Sequence, residues 1–324
     1  MTGASPPTAA TSPDPTRPAS PPRRLAAKVA RLASDIKLAH SVFALPFAIL
    51  AAFLAFDPSL GWTRFVGQLL LILVCMVAAR TWAMVANRLL DREFDRSNER
   101  TARRAFAAGD LTARDGVIAL AASAGLFVLA CAAFGWLFAN WAPLWFSAPV
   151  LGVIAGYSLT KRFTALCHLV LGVSLALSPI AAAVAVGGLD VLSTADPGRA
   201  LWSLAAMVLC WVAGFDIIYA LQDAGFDRER GLSSIPAKLG WTGALWVSRT
   251  LHVVAAAGLV GVLLLAGELG PIFAVAVVAG VGLLVWQQAI VARRGAAVIG
   301  PAFFEANGLL SVGVGVLGVI DALV

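Results

Sequence analysis

The sequence predicts an all-α, polytopic membrane protein, a bundle of nine transmembrane helices around a central cavity. Of the 324 residues, 60% are hydrophobic and 13% are charged, which is about half the charged fraction of an ordinary soluble domain. Apolar runs recur at about the 20 residues that an α-helix needs to cross a bilayer. Basic residues are concentrated in alternate loops between these runs, as expected for a chain that crosses a membrane repeatedly.

Nine apolar runs are long enough to be membrane spans. They occupy residues of about 39–57, 64–87, 114–135, 140–158, 164–187, 200–222, 242–266, 269–290 and 302–323. The N-terminal 30 residues come before the first run and contain a segment rich in Pro, Ser, Thr and Ala. We therefore expect a disordered tail over residues 1–30 and a single transmembrane domain over residues 31–324. A basic stretch leads into the first run, but further spans follow, so we expect no cleavable signal.

Lysine and arginine lie mostly on one side of the predicted bundle. Four loops share the side of the N-terminal tail: residues 88–113, 159–163, 223–241 and 291–301. The loops on the opposite side bring only two cations, Arg64 and Arg199. Because basic loops remain in the cytoplasm, we expect a cell (inner) membrane protein with a cytoplasmic N-terminus and an external C-terminus. The net charge of +6 thus reflects topology, and we expect no nucleic-acid partner.

The most charged stretch of the chain, NRLLDREFDRSNERTARR, directly follows the second apolar run. On a helix, Asn87, Asp91 and Asp95 share one face, because residues four apart are neighbours. Like charges at this spacing repel by a few tenths of a kcal/mol per pair, so a cation should offset them. A solvated, charge-patterned helix end is the alternative interpretation.

The end of the sixth apolar run repeats this layout. Asp223 and Asp227 are again four residues apart, and Asp216 lies seven residues before Asp223. Arg80 likewise lies seven residues before Asn87. Seven residues are two helical turns, so each deep charge lies about 10 Å further into the bilayer on the same face. Charges at that depth are unfavourable in lipid, and we expect them to face a polar cavity.

Carboxylates that face each other across a cavity, without a His or Cys cluster, favour Mg²⁺ over zinc. Because Mg²⁺ commonly shares its site with substrate phosphates, cations should lie nearby. The candidates are Arg100, Arg104, Lys161, Arg162 and Lys238. A diphosphate held at the membrane surface, with the rest of the ligand in the bilayer, describes a polyprenyl diphosphate. The four cysteines occur singly, and we expect them to be small buried hydrophobes.

These residues resemble the motifs of the UbiA superfamily of intramembrane prenyltransferases, particularly its 4-hydroxybenzoate branch, from about residue 30 to the end. The family's first motif falls on Asn87, Asp91 and Asp95, and an Arg-Thr-x-x-Arg follows at Arg100, Thr101 and Arg104. The second motif falls on Asp216, Tyr219, Asp223 and Asp227, and a Tyr-x-x-x-Lys-Arg turn falls on Tyr157, Lys161 and Arg162. The deep arginine that precedes the first motif in the family matches Arg80.

Two positions depart from the family pattern. Arg88 stands where many members have Asp, and Ala105 stands where Pro is common. The first departure, with KLAHSVFALPFAI and CHLVLGVSLALSPI, resembles a branch that prenylates 1,4-dihydroxy-6-naphthoate in menaquinone synthesis. Because Arg88 is rotated by about 100° from Asn87 on a helix, we expect Arg88→Asp to be tolerated.

The resemblance implies Mg²⁺-dependent transfer of a polyprenyl group from polyprenyl diphosphate to 4-hydroxybenzoate or a dihydroxynaphthoate, in ubiquinone or menaquinone biosynthesis. It assigns the Mg²⁺–diphosphate site to Asn87, Asp91, Asp95, Asp223 and Asp227, with Asp95 one turn further toward water. It assigns the diphosphate to Arg100, Arg104, Lys161 and Arg162. A cavity that opens to the cytoplasm would hold both substrates, with the bilayer as the third partner.

Three residues are predicted to act on the acceptor: Arg80, Asp216 and Tyr219. Arg80 could bind the acceptor carboxylate, and Asp216 could accept the phenol proton. The alternative is that Arg80 and Asp216 form a structural ion pair with each other. Lys37 and His40 are predicted to line the acceptor site, with ordinary lining as the alternative for His40, and His168 is interpreted as an ordinary lining residue.

Other functions remain open from the sequence. Within the family, the alternative is prenylation of haem or chlorophyll, which the deep Arg80 makes less suitable than a small carboxylate acceptor. Outside this enzyme class, intramembrane charges also mark the pathways of transporters. The carboxylates here cluster on one side of the membrane and do not form a relay across it, which argues against transport.

Overall fold

The structure, a computed structural model, describes residues 21–36 and 43–324; these ranges form thirteen α-helices and short 3-10 turns, with no strand. The helices are α1 (Pro21–Ile36), α2 (Leu45–Leu54), α3 (Trp62–Leu90), α4 (Arg92–Ser97), α5 (Ala105–Ala108), α6 (Ala113–Phe138), α7 (Ala142–Thr160), α8 (Cys167–Gly187), α9 (Gly198–Ala220), α10 (Ala224–Glu229), α11 (Ile235–Leu265), α12 (Pro271–Arg294) and α13 (Pro301–Leu323). For the described residues, the predicted all-α class is confirmed.

Eight of these helical segments are long and apolar enough to cross a membrane, which supports a multi-pass membrane protein. They match the second to ninth predicted spans. The first predicted span, 39–57, contains α2, whose ten residues are too short to cross a bilayer alone. Residues 37–42 lie outside the described part of the chain, so the count of nine crossings stays a prediction.

Helix α1 occupies part of the segment that was predicted to be a disordered tail. It begins at Pro21, so residues 21–30 of that segment are helical and the expectation of disorder is wrong for them; the domain boundary at residue 30 stays a prediction. Proline is tolerated in the first helical turn, and the Leu, Ala, Arg and Lys that follow favour a helix. Lys28 donates to Asp115 at 2.7 Å and Arg31 donates to Asp110 at 2.8 Å, and these contacts attach α1 to the start of α6.

Helix α9 lies at the centre of the bundle and carries the second acidic motif. Its Trp211 is completely buried, and the indole Nε1 donates to Asn307 Oδ1 of α13 at 2.9 Å. The same ring meets Phe47 of α2 edge-on, with the ring centroids 5.4 Å apart. The helix that positions Asp216 is therefore fixed from two sides.

Close contact between α8 and α9 depends on a glycine. A Cβ atom at Gly172 would collide with the carbonyl oxygen of Leu209, so only glycine allows the two backbones to approach this closely. In lipid, helices associate through such packing of small residues, because apolar surface is equally well solvated by the acyl chains. One turn before Gly172 is His168, and the close approach carries this side chain to α9.

Helix α11 is kinked near its start. Gly240 has φ 66° and ψ −171°, a backbone conformation that favours glycine, and it separates the first turn from the rest of the helix. Ser234 caps that turn by accepting a hydrogen bond from the Ala237 N–H at 3.2 Å. The kink explains why α11 begins before the predicted span, and it directs the first turn toward the acidic motifs.

Candidate active site

A polar cavity of about 270 Å³ lies at the end of the bundle where α3, α7 and α9 finish and where α8 and α11 begin. Both acidic motifs and the turn after α7 line it, as expected from the repeated layout in the sequence. The predicted site residues in its wall are Asn87, Asp91, Asp95, Arg100, Arg104, Lys161, Arg162, Asp216, Tyr219, Asp223 and Asp227.

The two acidic motifs share the same backbone geometry. Asp91 ends α3 with φ −96° and ψ 5°, and Asp223 lies between α9 and α10 with φ −102° and ψ 1°. A six-residue helix follows each break and turns the next carboxylate inward. Asp95 is 6% exposed and Asp227 is 0% exposed. The expectation that Asp95 lies further toward water is therefore wrong, because α4 folds it back beneath the following loop.

Each of these carboxylates has a cationic partner. The pairs are Asp91–Arg162 at 3.3 Å, Asp95–Arg104 at 2.6 Å, Asp223–Arg100 at 2.5 Å and Asp227–Lys161 at 2.7 Å. The like-charge repulsion expected from the sequence is thus offset within the protein, and these eight groups balance in formal charge. Burial raises the pKa of the Asp91 carboxyl, and the hydrogen bond from Arg162 opposes this rise.

Asn87 orients the first carboxylate of its motif. Its Nδ2 donates to Asp91 Oδ2 at 2.9 Å and to Ser158 Oγ of α7 at 3.2 Å. Its Oδ1 accepts a hydrogen bond from Arg88 Nη1 at 2.9 Å. The amide therefore links α3 to α7 and holds the Asp91 carboxylate on the cavity side.

The deep carboxylate Asp216 pairs with His168 and not with Arg80. Its Oδ2 lies 2.7 Å from His168 Nδ1, and both side chains line the polar cavity. The alternative of an Arg80–Asp216 ion pair is therefore wrong. The interpretation of His168 as an ordinary lining residue is also wrong, because the close packing at Gly172 brings its ring to the carboxylate.

Arg80 lines a second cavity of about 380 Å³, which is mainly apolar. The walls come largely from α3, α6, α7 and α8, with Phe127, Phe146 and Leu175 among them. The Nε of Arg80 is buried and has no hydrogen-bond partner among the described residues. Tyr157 lines both cavities, so the polar and apolar spaces adjoin at its ring.

The remaining predicted site residues divide into three groups. Tyr219 lies in the wall of the polar cavity, and the Arg100 Cζ is 5.8 Å from the centroid of its ring. Lys238 is exposed and is not among the residues that line the cavity. Lys37 and His40 lie outside the described residues, so their placement at the acceptor site stays a prediction.

The carboxylates of the polar cavity fit Mg²⁺ in combination with phosphate. Asp95 Oδ2 is a buried carboxylate oxygen with no hydrogen-bond partner in the described part of the chain. Within residues 21–36 and 43–324, no three acidic, His or Cys side chains form a closed metal-binding group. Mg²⁺ keeps several waters and is usually bound by one or two carboxylates plus phosphate oxygens, so it does not require such a group.

Comparison with known proteins identifies the family of this chain. Residues 44–309 match the UbiA prenyltransferase family. The chain belongs to this family. The solved structure of a UbiA homolog from Aeropyrum pernix K1 is 30% identical, with a TM-score of 0.77 over 89% of this chain and 99% of that one. A UbiA homolog from Archaeoglobus fulgidus bound to GPP and Mg²⁺ has the same fold, with a TM-score of 0.69 at 18% identity over 91% of this chain and 100% of that one.

Several bacterial relatives have the same name, 4-hydroxybenzoate octaprenyltransferase. A 4-hydroxybenzoate octaprenyltransferase of Methylococcus capsulatus is 29% identical over 236 residues, which cover 70% of this chain and 73% of that protein. Its namesake in Paracidovorax citrulli is 35% identical over 165 residues, about half of each chain at 51% and 52%. The family recognised from the motifs is therefore confirmed, and the chain is a prenyltransferase.

The UbiA position with the clearest departure, Arg88, has a structural partner. Its Nε lies 3.6 Å from Asp35 Oδ2 of α1, and the two side chains are 11% and 6% exposed. Arg88 is not in the wall of the polar cavity, as its helix face predicts, but it is buried between α1 and α3. This contact could not be predicted from the sequence, because Asp35 belongs to a helix outside the recognised motifs.

We now expect Arg88→Asp to destabilise the protein, contrary to the tolerance expected from the helix face alone. The substitution places a carboxylate against Asp35 and removes the donor to Asn87; disrupting a buried ion pair costs about 3–5 kcal/mol. Thermal unfolding in detergent measures the loss, and the exchanged pair Arg88→Asp/Asp35→Arg should recover most of it. A single variant as stable as the wild type would contradict this expectation.

Two serines that the sequence analysis did not assign also contact the site. Ser158 bonds Asn87, and the Ser234 hydroxyl donates to Asp227 Oδ2 at 2.9 Å. Ser234 could have been predicted from the sequence as a helix-capping residue, because a serine just before Ile-Pro is typical of a helix N-terminus. No sequence pattern predicts the contact of Ser158, because its partner lies on another helix 71 positions away.

Proposed function

We propose that this UbiA family member transfers a polyprenyl group from polyprenyl diphosphate to a ring carbon of a hydroxylated aromatic carboxylate, using Mg²⁺. The acceptor is 4-hydroxybenzoate or a dihydroxynaphthoate, in ubiquinone or menaquinone biosynthesis. The observation that carries the proposal is the junction, at Tyr157, of a polar cavity lined by ion pairs with an apolar cavity. A polyprenyl diphosphate has the same two parts, and the relatives' name, 4-hydroxybenzoate octaprenyltransferase, favours this acceptor class.

The diphosphate end occupies the polar cavity. Asp91, Asp95, Asp223 and Asp227 hold Mg²⁺, and Asn87 keeps Asp91 in place. When bound, Mg²⁺ would neutralise part of the diphosphate charge and so make it a better leaving group. The phosphate oxygens are bound by Arg100, Arg104, Lys161 and Arg162. A diphosphate alone would leave the cavity strongly negative, because five carboxylates already face four cations in its wall, so metal and diphosphate bind together.

The acceptor carboxylate pairs with Arg80. This arginine is half-buried, its Nε is fully buried, and it has no carboxylate partner among the described residues, although a guanidinium in an apolar wall needs one. A bidentate pair would fix the orientation of the aromatic ring. The ring then lies at the junction of the two cavities, with its hydroxyl toward Asp216 in the polar cavity.

Asp216 accepts the proton of the acceptor's hydroxyl, which makes the ring more electron-rich. The allylic C–O bond breaks and its electrons leave on the diphosphate, and an electron pair of the ring then forms the new C–C bond with the allylic cation. The ring carbon then gives its proton to the departed diphosphate and the ring becomes aromatic again, and the proton on Asp216 returns to the phenolate oxygen. The apolar cavity keeps water from the allylic cation. Tyr219, one turn after Asp216, positions Arg100 through the contact of its ring with the guanidinium.

We also propose that residues 31–324 act as one domain with nine crossings, with the polar cavity open to the cytoplasm. The N-terminus then lies in the cytoplasm and the C-terminus outside the cell membrane. The basic loops at the polar end of the bundle support this orientation.

Product analysis tests the proposed reaction. The full chain in nanodiscs is given a polyprenyl diphosphate, Mg²⁺ and both 4-hydroxybenzoate and 1,4-dihydroxy-6-naphthoate in competition. We expect one of the two acceptors to be prenylated on a ring carbon, and chelation of Mg²⁺ to stop the reaction. No prenylated product from either acceptor would contradict the proposal.

A further inference from the structure

The carboxylate of Asp216 and the ring of His168 differ sharply in exposure. The Asp216 side chain is 29% exposed and the His168 side chain is 3% exposed, although both belong to the wall of the same cavity. The carboxylate is therefore open to the cavity and the imidazole lies behind it. A residue in this position acts on the substrate through its neighbour.

The hydrogen bonds of His168 define which ring nitrogen carries the proton. The backbone N–H of Ile235 donates to His168 Nε2 at 3.3 Å, so Nε2 is an acceptor with a free electron pair. The proton of a neutral imidazole then resides on Nδ1, from which it is donated to Asp216 Oδ2 at 2.7 Å. One carboxylate oxygen is held in this way, and the other is left to take a proton from the cavity.

The donor to His168 belongs to a three-residue segment that also contacts the diphosphate end of the site. The Ser233 N–H donates to the Lys161 carbonyl at 2.7 Å, and the Ser234 hydroxyl donates to Asp227 Oδ2 at 2.9 Å. Ile235 follows directly and bonds His168. The kink at Gly240 lets this first turn of α11 lie against the cavity. His168 is therefore fixed by the same framework that carries the groups assigned to the diphosphate.

We propose that His168 is a positioning residue for the transfer reaction, which orients the Asp216 carboxylate to take the proton of the acceptor's hydroxyl. The Ile235 N–H fixes the imidazole tautomer that makes this possible. This inference rests on the proposed function and adds to it a residue that does not touch the substrate. Asp216 performs the proton transfer, and His168 determines which of its oxygens is available and in which direction it points.

Two substitutions at position 168 separate positioning from packing. His168→Leu fills the space but has neither donor nor acceptor, whereas His168→Gln keeps both. We expect His168→Leu to lower kcat on the order of 10- to 100-fold, the effect of removing a hydrogen bond to a charged group. The KM for the prenyl diphosphate should change less than about twofold, because no group assigned to that substrate is altered. His168→Gln should recover most of kcat.

A matched pair at position 235 tests the tautomer without altering the imidazole. Ile235→Pro removes the donating N–H at the first position of α11, where proline is tolerated, and Ile235→Val keeps it. We expect kcat of Ile235→Pro to fall several-fold below that of Ile235→Val. This comparison of kcat still tests the inference if His168→Leu does not fold. Equal kcat for the two would overturn the role of the backbone donor.

The acidity of the acceptor gives a readout that a packing role would not change. Ring-fluorinated acceptors have more acidic hydroxyls and need less help from a base, so the ratio of wild-type to His168→Leu kcat should shrink along the series. A ratio that stays constant, or a wild-type kcat in His168→Leu, would overturn the inference while leaving the proposed function intact. No transfer by the wild type to any acceptor would overturn both.

Discussion

Asp223→Ala and Asp91→Ala are each expected to lower prenyl transfer on the order of 10³-fold or more, with folding retained. The two residues occupy equivalent breaks in the repeated motifs and lie in the wall of one polar cavity. Removing either one deletes a hard oxygen donor from the proposed Mg²⁺ site, so a moderate rise in Mg²⁺ concentration should not restore turnover. Stability should change little, because the partners Arg100 and Arg162 are both exposed and their ion pairs are screened by solvent.

The matched control for these variants is Glu229→Ala. Glu229 ends α10, two residues after Asp227, and its exposed side chain does not line the cavity. We expect this variant to keep wild-type turnover, which would show that the loss does not come from a general change of surface charge. Turnover is measured as initial rates over a range of Mg²⁺ concentrations, and folding is measured by thermal unfolding of all three variants. Near-normal turnover of Asp223→Ala or Asp91→Ala would contradict the metal assignment.

Arg80→Leu is expected to reduce kcat/KM for the natural acceptor on the order of 100-fold, corresponding to the loss of charged hydrogen bonds worth about 3 kcal/mol. The KM for the prenyl diphosphate should stay close to that of the wild type. Because the buried Nε of Arg80 has no partner among the described residues, leucine should maintain or raise stability. For an acceptor analogue without the carboxylate, kcat/KM should fall far less from wild type to Arg80→Leu, because this analogue makes no ion pair with Arg80.

Arg80→Lys separates charge from geometry in the same assay. Lysine keeps the positive charge but cannot bind a carboxylate with two parallel hydrogen bonds, so kcat/KM should fall between those of wild type and Arg80→Leu. Equal losses in Arg80→Leu for acceptors with and without the carboxylate would contradict the assignment. A loss of folding in this variant would instead indicate that the guanidinium is needed for packing between α3 and the neighbouring helices.

Most residues of the candidate site could be expected from the sequence to lie together, because the signals that predict this are local. Helical spacing puts Asn87, Asp91 and Asp95 on one face, and the same spacing repeats at Asp223 and Asp227. Charges next to apolar runs must avoid lipid, so these faces could be expected to meet around one cavity. The structure brings both motifs into the wall of that cavity.

Spacing along a helix could not show which partner each buried charge would choose. Arg80 and Asp216 looked like a possible pair because each lies seven residues before its motif. The partner of Asp216 is instead His168, brought within 2.7 Å by the close backbone contact at Gly172. The expectation for Arg88→Asp changes for the same reason, because Asp35 meets Arg88 only after α1 packs against α3.

The sequence by itself determined the helical class, the repeated acidic motifs and the family, because hydropathy and helical periodicity depend on residues a few positions apart. The tertiary structure alone decided the pairing of His168 with Asp216, the burial of Asp95 and the separation of Arg80 into an apolar cavity. Each of these depends on where a helix breaks or how closely two helices approach. A backbone kink at Gly240 or a missing Cβ at Gly172 moves a side chain by several ångströms, a distance that determines whether two charges meet.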